Sequence, residues 1–487
     1  MWTNRQLLAL LAAFTARVIT IGSLYSYGIF YKSIMESLDL SNSETSALFS
    51  VLQGLAQGTG LTVPLILKIL SLRKALGLGA LLAAAGLAGA SFTTNYKVFL
   101  LEFGLLQGFG MGIIVVAVPV ASNFILRSSQ SHIAISLQST GDGVGLFLFP
   151  LVYQLLLNHF DWRKALLLAS AILLNNCACA ALLKLDVKQP SSRKPSADEK
   201  KKRKKSVEAE TGRCQNEKEV CVDLEPRIGL RQLFRDPNVF IILGTAVLDS
   251  VAFTVYYTFV SAFLTETCGG TPVLWGLKAD ALVMSTTGVV SIFGRLNVSC
   301  FGGRRCMPRW AIFAFAHVLQ GAAMLAIAFR PFQVVELVLW ASLLGLGAGW
   351  GGTLLNCVCR DACGEEKLTH VFSYSMFAWG VGSLLGPTVA GYINDASGST
   401  KAAIVSAGVV FVVSGVILTN LWLTTKNNCC DDGGSFEPIT IVEEDDVSSS
   451  SNSFLQESDK EPSGFNFGDD ICKTEPLERH AENSVGQ

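Results

Sequence analysis

Two stretches decide the fold: Gly108-Phe109-Gly110-Met111-Gly112 followed by Gly143-Val144-Gly145-Leu146-Phe147-Leu148-Phe149-Pro150, and Gly345-Leu346-Gly347-Ala348-Gly349 followed by Gly380-Val381-Gly382-Ser383-Leu384-Leu385-Gly386-Pro387. Gly108, Gly110, Gly112, Gly143, Gly145 and Pro150 recur 237 residues later at Gly345, Gly347, Gly349, Gly380, Gly382 and Pro387. One offset shared by two consecutive apolar segments points to two related halves laid head to tail. Internal repeats of this kind are what alternating-access carriers are built from. Glycine at these positions is read as allowing close helix approach rather than as touching a solute.

Working outward, the 487-residue chain is 50% hydrophobic and 16% charged, and its apolar residues fall in blocks about 20 residues long. Twelve such blocks are read, at approximately 7–30, 45–67, 75–93, 97–121, 132–156, 163–184, 239–264, 276–300, 309–329, 333–357, 369–393 and 401–424. Lipid offers the backbone no hydrogen bonds, so each is expected to be helical. The first block, six residues from Met1 and followed by more spans rather than a small-residue cleavage site, is expected to be retained. The expected fold is an all-α membrane protein of twelve transmembrane helices in two six-helix pseudo-repeats, 1–184 and 237–425. A disordered linker, 185–236, separates them, and an acidic, serine-rich disordered tail, 426–487, follows.

Basic residues alternate between connections: Lys68, Arg73 and Lys74; Arg127; Lys200 to Lys205; Arg304, Arg305 and Arg309. These connections are expected to be cytoplasmic, which places both termini there. The Lys200–Lys205 run is read as a loop near anionic lipid, not as a nucleic-acid patch. Thirteen scattered cysteines give no disulfide framework, and Cys357, Cys359 and Cys363 are read as thiols rather than metal ligands. His132, His159, His317, His370 and His480 are dispersed and no Walker-type phosphate loop is present, so no catalytic constellation, cofactor site or metal site is expected. Transport would then run on solute or ion gradients.

Ionisable residues inside a membrane are costly, so each is a functional candidate. Asp142 and Asp249 lie near mid-span, and an unpaired carboxylate at that depth is expected to take up a proton. Arg295, two-thirds of the way into its span, keeps its charge and has a planar fork suited to a carboxylate. Arg17 is either functional or a snorkelling residue near the cytoplasmic rim. Glu102 and Glu336 are read as rim residues. Gln53 and Gln57 share one face of the second span, as Tyr27 and Tyr31 do of the first, and interhelical hydrogen bonding explains such groups as readily as ligand binding.

The stretches YGIFYKSIMESLDLSNSETSALFSV (27–51), ISLQSTGDGVGLFLFP (135–150), HFDWRKALLLASAILLNNC (159–177) and GSLLGPTVAGYINDASGSTKAAIVSAGVVFVVSGVIL (382–418) together resemble the monocarboxylate transporter family of the major facilitator superfamily. The resemblance covers nearly all twelve blocks. It implies a carrier of a small organic acid, with or without a co-transported proton, in the plasma membrane, which some relatives reach with a single-span glycoprotein chaperone. It also implies that Arg295 binds the solute carboxylate. Departures are equally informative: the family's DGGWGW opening is replaced by QLLALLAAFTA, Tyr25 stands at the proton-relay lysine, and Ser291 stands where an aspartate precedes Arg295. The carrier is therefore either facilitative or supplied with another proton site, Asp142 or Asp249. Asp249 is expected to neutralise Arg295 in the empty state. Asn356 stands where small-acid carriers have a bulky aromatic, implying a roomier pocket. The candidate solute-binding residues are Arg295, Asn356, Tyr25 and Gln57. Two other readings stay open: a non-transporting sensor or trafficking protein on the same scaffold, and a carrier of a cationic or neutral solute held by Asp142 and Asp249.

Overall fold

The computed structural model describes residues 4–125, 131–183, 237–269, 272–274, 277–301, 309–329, 333–363 and 365–431. The expected linker at 185–236 and the tail beyond residue 431 lie outside the described residues.

Helices make up nearly all of it: α1 (Asn4–Ser26), α2 (Tyr31–Ser37), α3 (Asn42–Gly58), α4 (Val63–Ile69), α5 (Leu72–Phe92), α6 (Tyr96–Phe99), α7 (Gln107–Ile125), α8 (Ser131–His159), α9 (Trp162–Leu182), α10 (Pro237–Cys268), α11 (Ala279–Phe301), α12 (Arg309–Phe329), α13 (Val334–Cys363), α14 (Glu365–Ser397) and α15 (Lys401–Asp431). A small antiparallel hairpin, Pro272–Leu274 with Leu277–Lys278, lies between α10 and α11. Among the described residues, eleven helical segments are long and apolar enough to cross a membrane.

The block expected at 45–67 is not among the eleven. It is α3, a 3-10 turn at Thr59–Leu61 and α4, with Gly58, Gly60 and Pro64 around the break. Ser46, Ser50, Gln53 and Gln57 are all buried against other helices instead of facing outward.

The repeated glycines meet repeat-related neighbours. On α7, a Cβ at Gly108 would strike Leu52 of α3, and one at Gly110 would strike Gly79 and Ala83 of α5. On α13, a Cβ at Gly345 would strike Thr287 of α11, and one at Gly347 would strike Ala316 and Gln320 of α12. Gly145 of α8 packs on Gly22 of α1 as Gly382 of α14 packs on Val247 and Ser250 of α10. Close helix approach, expected from sequence, is thus what these glycines provide.

Two further crossings join helices from opposite sides of the linker. α8 meets α11, where Gly143 faces Ser291 and Gly288 faces the Phe147 backbone. α3 meets α14, where Gly54 and Gly58 face Leu384 and Gly380, and Gly391 faces Ser46.

At one end of the α3–α14 contact, Ser41 and Glu44 form a capping box at the start of α3. The Ser41 N–H and hydroxyl hold the Glu44 carboxyl below the usual carboxylate range. Across the interface, Asp395 accepts from the Asn42 N–H at 3.0 Å and the Ser43 N–H at 2.8 Å. Those are orphan donors of the first helical turn, at the positive end of the helix dipole. Gly398, with φ of +67°, lets the chain turn just past α14.

Candidate solute and proton sites

Three charged side chains converge where α1, α8 and α11 meet. Arg17 clasps Asp142 with both arms of its fork, Nε to Oδ1 at 2.7 Å and Nη2 to Oδ2 at 2.7 Å, and its Nη1 donates to the Val115 carbonyl at 3.2 Å. Arg295 Nη1 donates to Ser139 Oγ at 2.6 Å and stands 3.8 Å from Asp142 Oδ2. Ser139 and Asp142 are three apart on α8 and so share a face. All three charged side chains are about nine-tenths buried. Gly352 of α13 lies against the Arg295 guanidinium, where a Cβ would sit 3.3 Å from Nη1.

A buried carboxylate needs its counter-charge close by. Here Asp142 is bracketed by two guanidinia. Asp142 is therefore not the unpaired carboxylate expected from sequence. Arg17, for which snorkelling was an alternative, reaches inward rather than to a rim.

Two helical turns along α1 from Arg17 is Tyr25, about 12 Å on at about 1.5 Å per residue. Gln57 Nε2 donates to its hydroxyl at 2.7 Å. Its ring packs against Phe253 at 5.0 Å and Tyr257 at 5.3 Å, both on α10. Sequence reasoning named Tyr25 and Gln57 separately and the structure joins them. Asn356 lies one turn after Gly352 on α13, and its side chain falls outside the described residues. The remaining polar pairs make interhelical bonds. Gln53 donates to Thr258, Gln107 donates to Tyr27 at 2.8 Å, and the Tyr31 hydroxyl donates to the Asn42 carbonyl. Glu102, read as a rim residue, accepts from the Thr93 hydroxyl at 2.6 Å.

Asp249 is elsewhere. Its Oδ2 is 2.7 Å from His317 Nε2 on α12, and its Oδ1 accepts from the Ser414 hydroxyl on α15. The expected neutralisation of Arg295 by Asp249 is thus corrected: Arg295 meets Asp142, and Asp249 meets His317. Helix rotation explains the error, since Asp249 faces α12 and α15 while its neighbour Ser250 faces Ser383 of α14. His317 was passed over in sequence because its partner is on another helix. Its position in an apolar span was the available signal.

A separate cavity of about 530 Å³ is lined by Lys32, Glu36, Gln154, Asp161, Lys278 and Asp280, among others, and by none of the candidate solute residues. Among the described residues, no cluster of His, Cys, Asp and Glu is placed to hold a metal ion.

Residues 13–357 and, in a second match, 298–428 fit the Major Facilitator Superfamily. The chain belongs to this superfamily. It is 28% identical over 359 residues to monocarboxylate transporter 12 of Rattus norvegicus, covering 72% of this chain and 71% of that protein. It is also 22% identical over 418 residues to monocarboxylate transporter 1 of Bos taurus, covering 82% of each. With monocarboxylate transporter 14 of Homo sapiens it shares 22% identity over 461 residues, covering 84% of this chain and 88% of that one. The superfamily member is a divergent monocarboxylate transporter relative, a multi-pass membrane transporter and not an enzyme.

Proposed function

We propose that this transporter carries a monocarboxylate or related organic monoanion by alternating access, with Arg295 as the carboxylate anchor. The observation that carries the reading is the buried Arg295 guanidinium at the α1–α8–α11 junction, beside an Asp142 carboxylate that Arg17 already clasps with both arms of its fork. The planar Arg295 fork is suited to bidentate binding of a single solute carboxylate. Ser139 already occupies one Arg295 donor with a neutral hydroxyl, which a carboxylate oxygen can replace with a stronger, charge-assisted bond. Tyr25 and Gln57, on the aromatic layer beyond, would meet the body of the solute, with Asn356 on α13 setting its room.

The cationic-solute alternative has less support. Asp142 and Asp249, the carboxylates it needs, are each engaged by a basic side chain of the protein.

In the same reading the chain has twelve spans, with the α3–α4 segment as the second. The spans form two six-helix halves, 1–184 and 237–425, with both termini cytoplasmic and the protein in the plasma membrane. The basic connections and the repeat-related glycine contacts support this arrangement.

The test is uptake of labelled organic acids and their amides by cells expressing wild type, Arg295→Ala or Arg295→Lys. Carboxylates but not amides should enter wild-type cells, Arg295→Ala should abolish that uptake, and Arg295→Lys should retain part of it. Undiminished uptake by Arg295→Ala at wild-type surface abundance would sink the assignment.

A further inference from the structure

We infer that His317 and Asp249 form a proton-binding site that couples carriage of the organic anion to proton movement. The inference rests on the carrier reading above but on different residues. It starts from counting protons in the geometry. His317 Nδ1 lies 2.6 Å from the Phe313 carbonyl, which can only accept, so Nδ1 bears a hydrogen. The other ring nitrogen is 2.7 Å from Asp249 Oδ2. Two lone pairs do not approach that closely, so one further proton lies between them. It belongs either to an imidazolium facing a carboxylate or to a carboxylic acid facing a neutral imidazole. In both forms the pair is neutral, and the second Asp249 oxygen is satisfied by Ser414.

Removing that proton leaves a buried carboxylate facing a nitrogen lone pair, an arrangement that holds together only if the pair separates or meets water. Both side chains are 4% exposed. The groups packed around the pair do not compensate it. They include Phe313 and Gln320 on the adjoining turns of α12, Phe411 and Ser414 of α15 and Gly351 of α13. On α10 the neighbouring polar side chains are Thr245 and Ser250, which bond to the α10 backbone and to α14. Among the described residues, Asp249 is the titratable group in contact with His317. Proton release therefore requires α10 and α12 to part, which makes it a property of one carrier state.

The link to the solute runs along α10. One turn after Asp249, Phe253 meets the ring of Tyr25 edge-on at 5.0 Å. One turn further, Tyr257 touches the same ring, and its backbone carbonyl abuts Gly28 of the 3-10 turn after α1. A shift of α10 that opens the proton pair thus moves the aromatic wall of the solute site.

The experiment compares full-length wild type, Asp249→Asn and His317→Gln in two transport modes. One is net uptake with the outside at pH 6 or pH 7.5, a step worth about thirtyfold in proton activity. The other is exchange of labelled for unlabelled solute at equal pH, where the loaded carrier returns without releasing its proton. Wild-type net uptake should rise several-fold at pH 6. In both variants the ratio of the two net rates should fall to about one while exchange continues, because the Asn and Gln amides cannot bind and release the proton. The inference is overturned if wild-type net uptake ignores pH, or if both variants keep the wild-type ratio at comparable surface abundance.

Should wild type move no carboxylate in either mode, the carrier reading fails, and infrared difference spectra of the purified protein between two pH values decide the proton site alone. A carboxyl or imidazole band that titrates in wild type and vanishes in both Asp249→Asn and His317→Gln supports it. A spectrum unchanged by both substitutions ends it.

Discussion

Asp395 offers a direct way to shift the balance between carrier states. Its two oxygens accept from the Asn42 and Ser43 N–H groups and so tie the end of α14 to the start of α3, at the end of the bundle proposed to face outward. Capping of exposed helix N-termini is worth about 0.5–2 kcal/mol, and a carboxylate at the dipole's positive end about 0.3–1 kcal/mol, the two effects overlapping. Asp395→Ala should therefore destabilise the closed outer end by about 1–2 kcal/mol, a factor of about 5–30 in population. Ser50 reports on this. It is fully buried one layer deeper, accepting from the Thr388 hydroxyl at 2.9 Å. In a Ser50→Cys background, modification of that thiol by a membrane-impermeant maleimide on intact cells should accelerate about 5- to 30-fold when Asp395→Ala is added. Asp395→Asn, which keeps an acceptor but not the charge, should fall between. A rate within about twofold of the parent at equal surface abundance would refute the reasoning, since a factor of two is under 0.5 kcal/mol.

Two other expectations concern the charge cluster and the glycine crossings. Asp142→Ala strands Arg17 and Arg295 against each other and should cost about 3–5 kcal/mol, read as lost thermal stability or surface abundance. Adding Arg17→Gln should recover part of that loss, a coupling that a double-mutant cycle would miss only if the 2.7 Å pair were absent. Gly288→Ala should lower thermal stability by about 1–3 kcal/mol, because its new methyl collides with the Phe147 backbone. Gly77→Ala, where nothing lies within 4 Å, should instead raise it by up to about 1 kcal/mol through helix propensity. The opposite signs of the two substitutions are the check.

Much of the architecture could be read from the chain because small residues at fixed spacing encode packing directly. Gly108, Gly110 and Gly112 need close neighbours wherever they lie, and their copies 237 residues on need equivalent ones. Arg295 and Asp142 were also legible, since charge in an apolar run has few innocuous explanations. Their partners were harder to see. Arg17 and Asp142 are 125 residues apart, and nothing local tells which way a side chain points on a helix of unknown rotation. For that reason Asp249 was matched with the wrong cation and His317 was given no role. The apolar block at 45–67 was legible too, but not that its Ser46, Ser50, Gln53 and Gln57 are buried against other helices. Asp395 was visible as part of a resemblance, but its task depends on the N-terminus of α3, more than 350 residues away.

The two charged clusters differ in a way that bears on how carriage would be coupled. The proton pair is neutral when occupied and joins α10, α12 and α15. The arginine cluster sets two guanidinia on one carboxylate and joins α1, α8 and α11. Arg17 and Arg295 face the same Asp142 carboxylate from α1 and α11. Under the proposed carriage a bound monoanion adds negative charge beside both guanidinia, and the close α8–α11 contact at Gly143 and Gly288 would be the pivot. Under the proposed carriage, the anion favours closure at one cluster and the proton favours closure at the other. Both act on helices that meet at Tyr25, Phe253 and Tyr257. Binding of either at one site then lowers the work of closing around the other, the reciprocal coupling that linkage requires. The anion and the proton together should therefore move the carrier further than the sum of their separate effects.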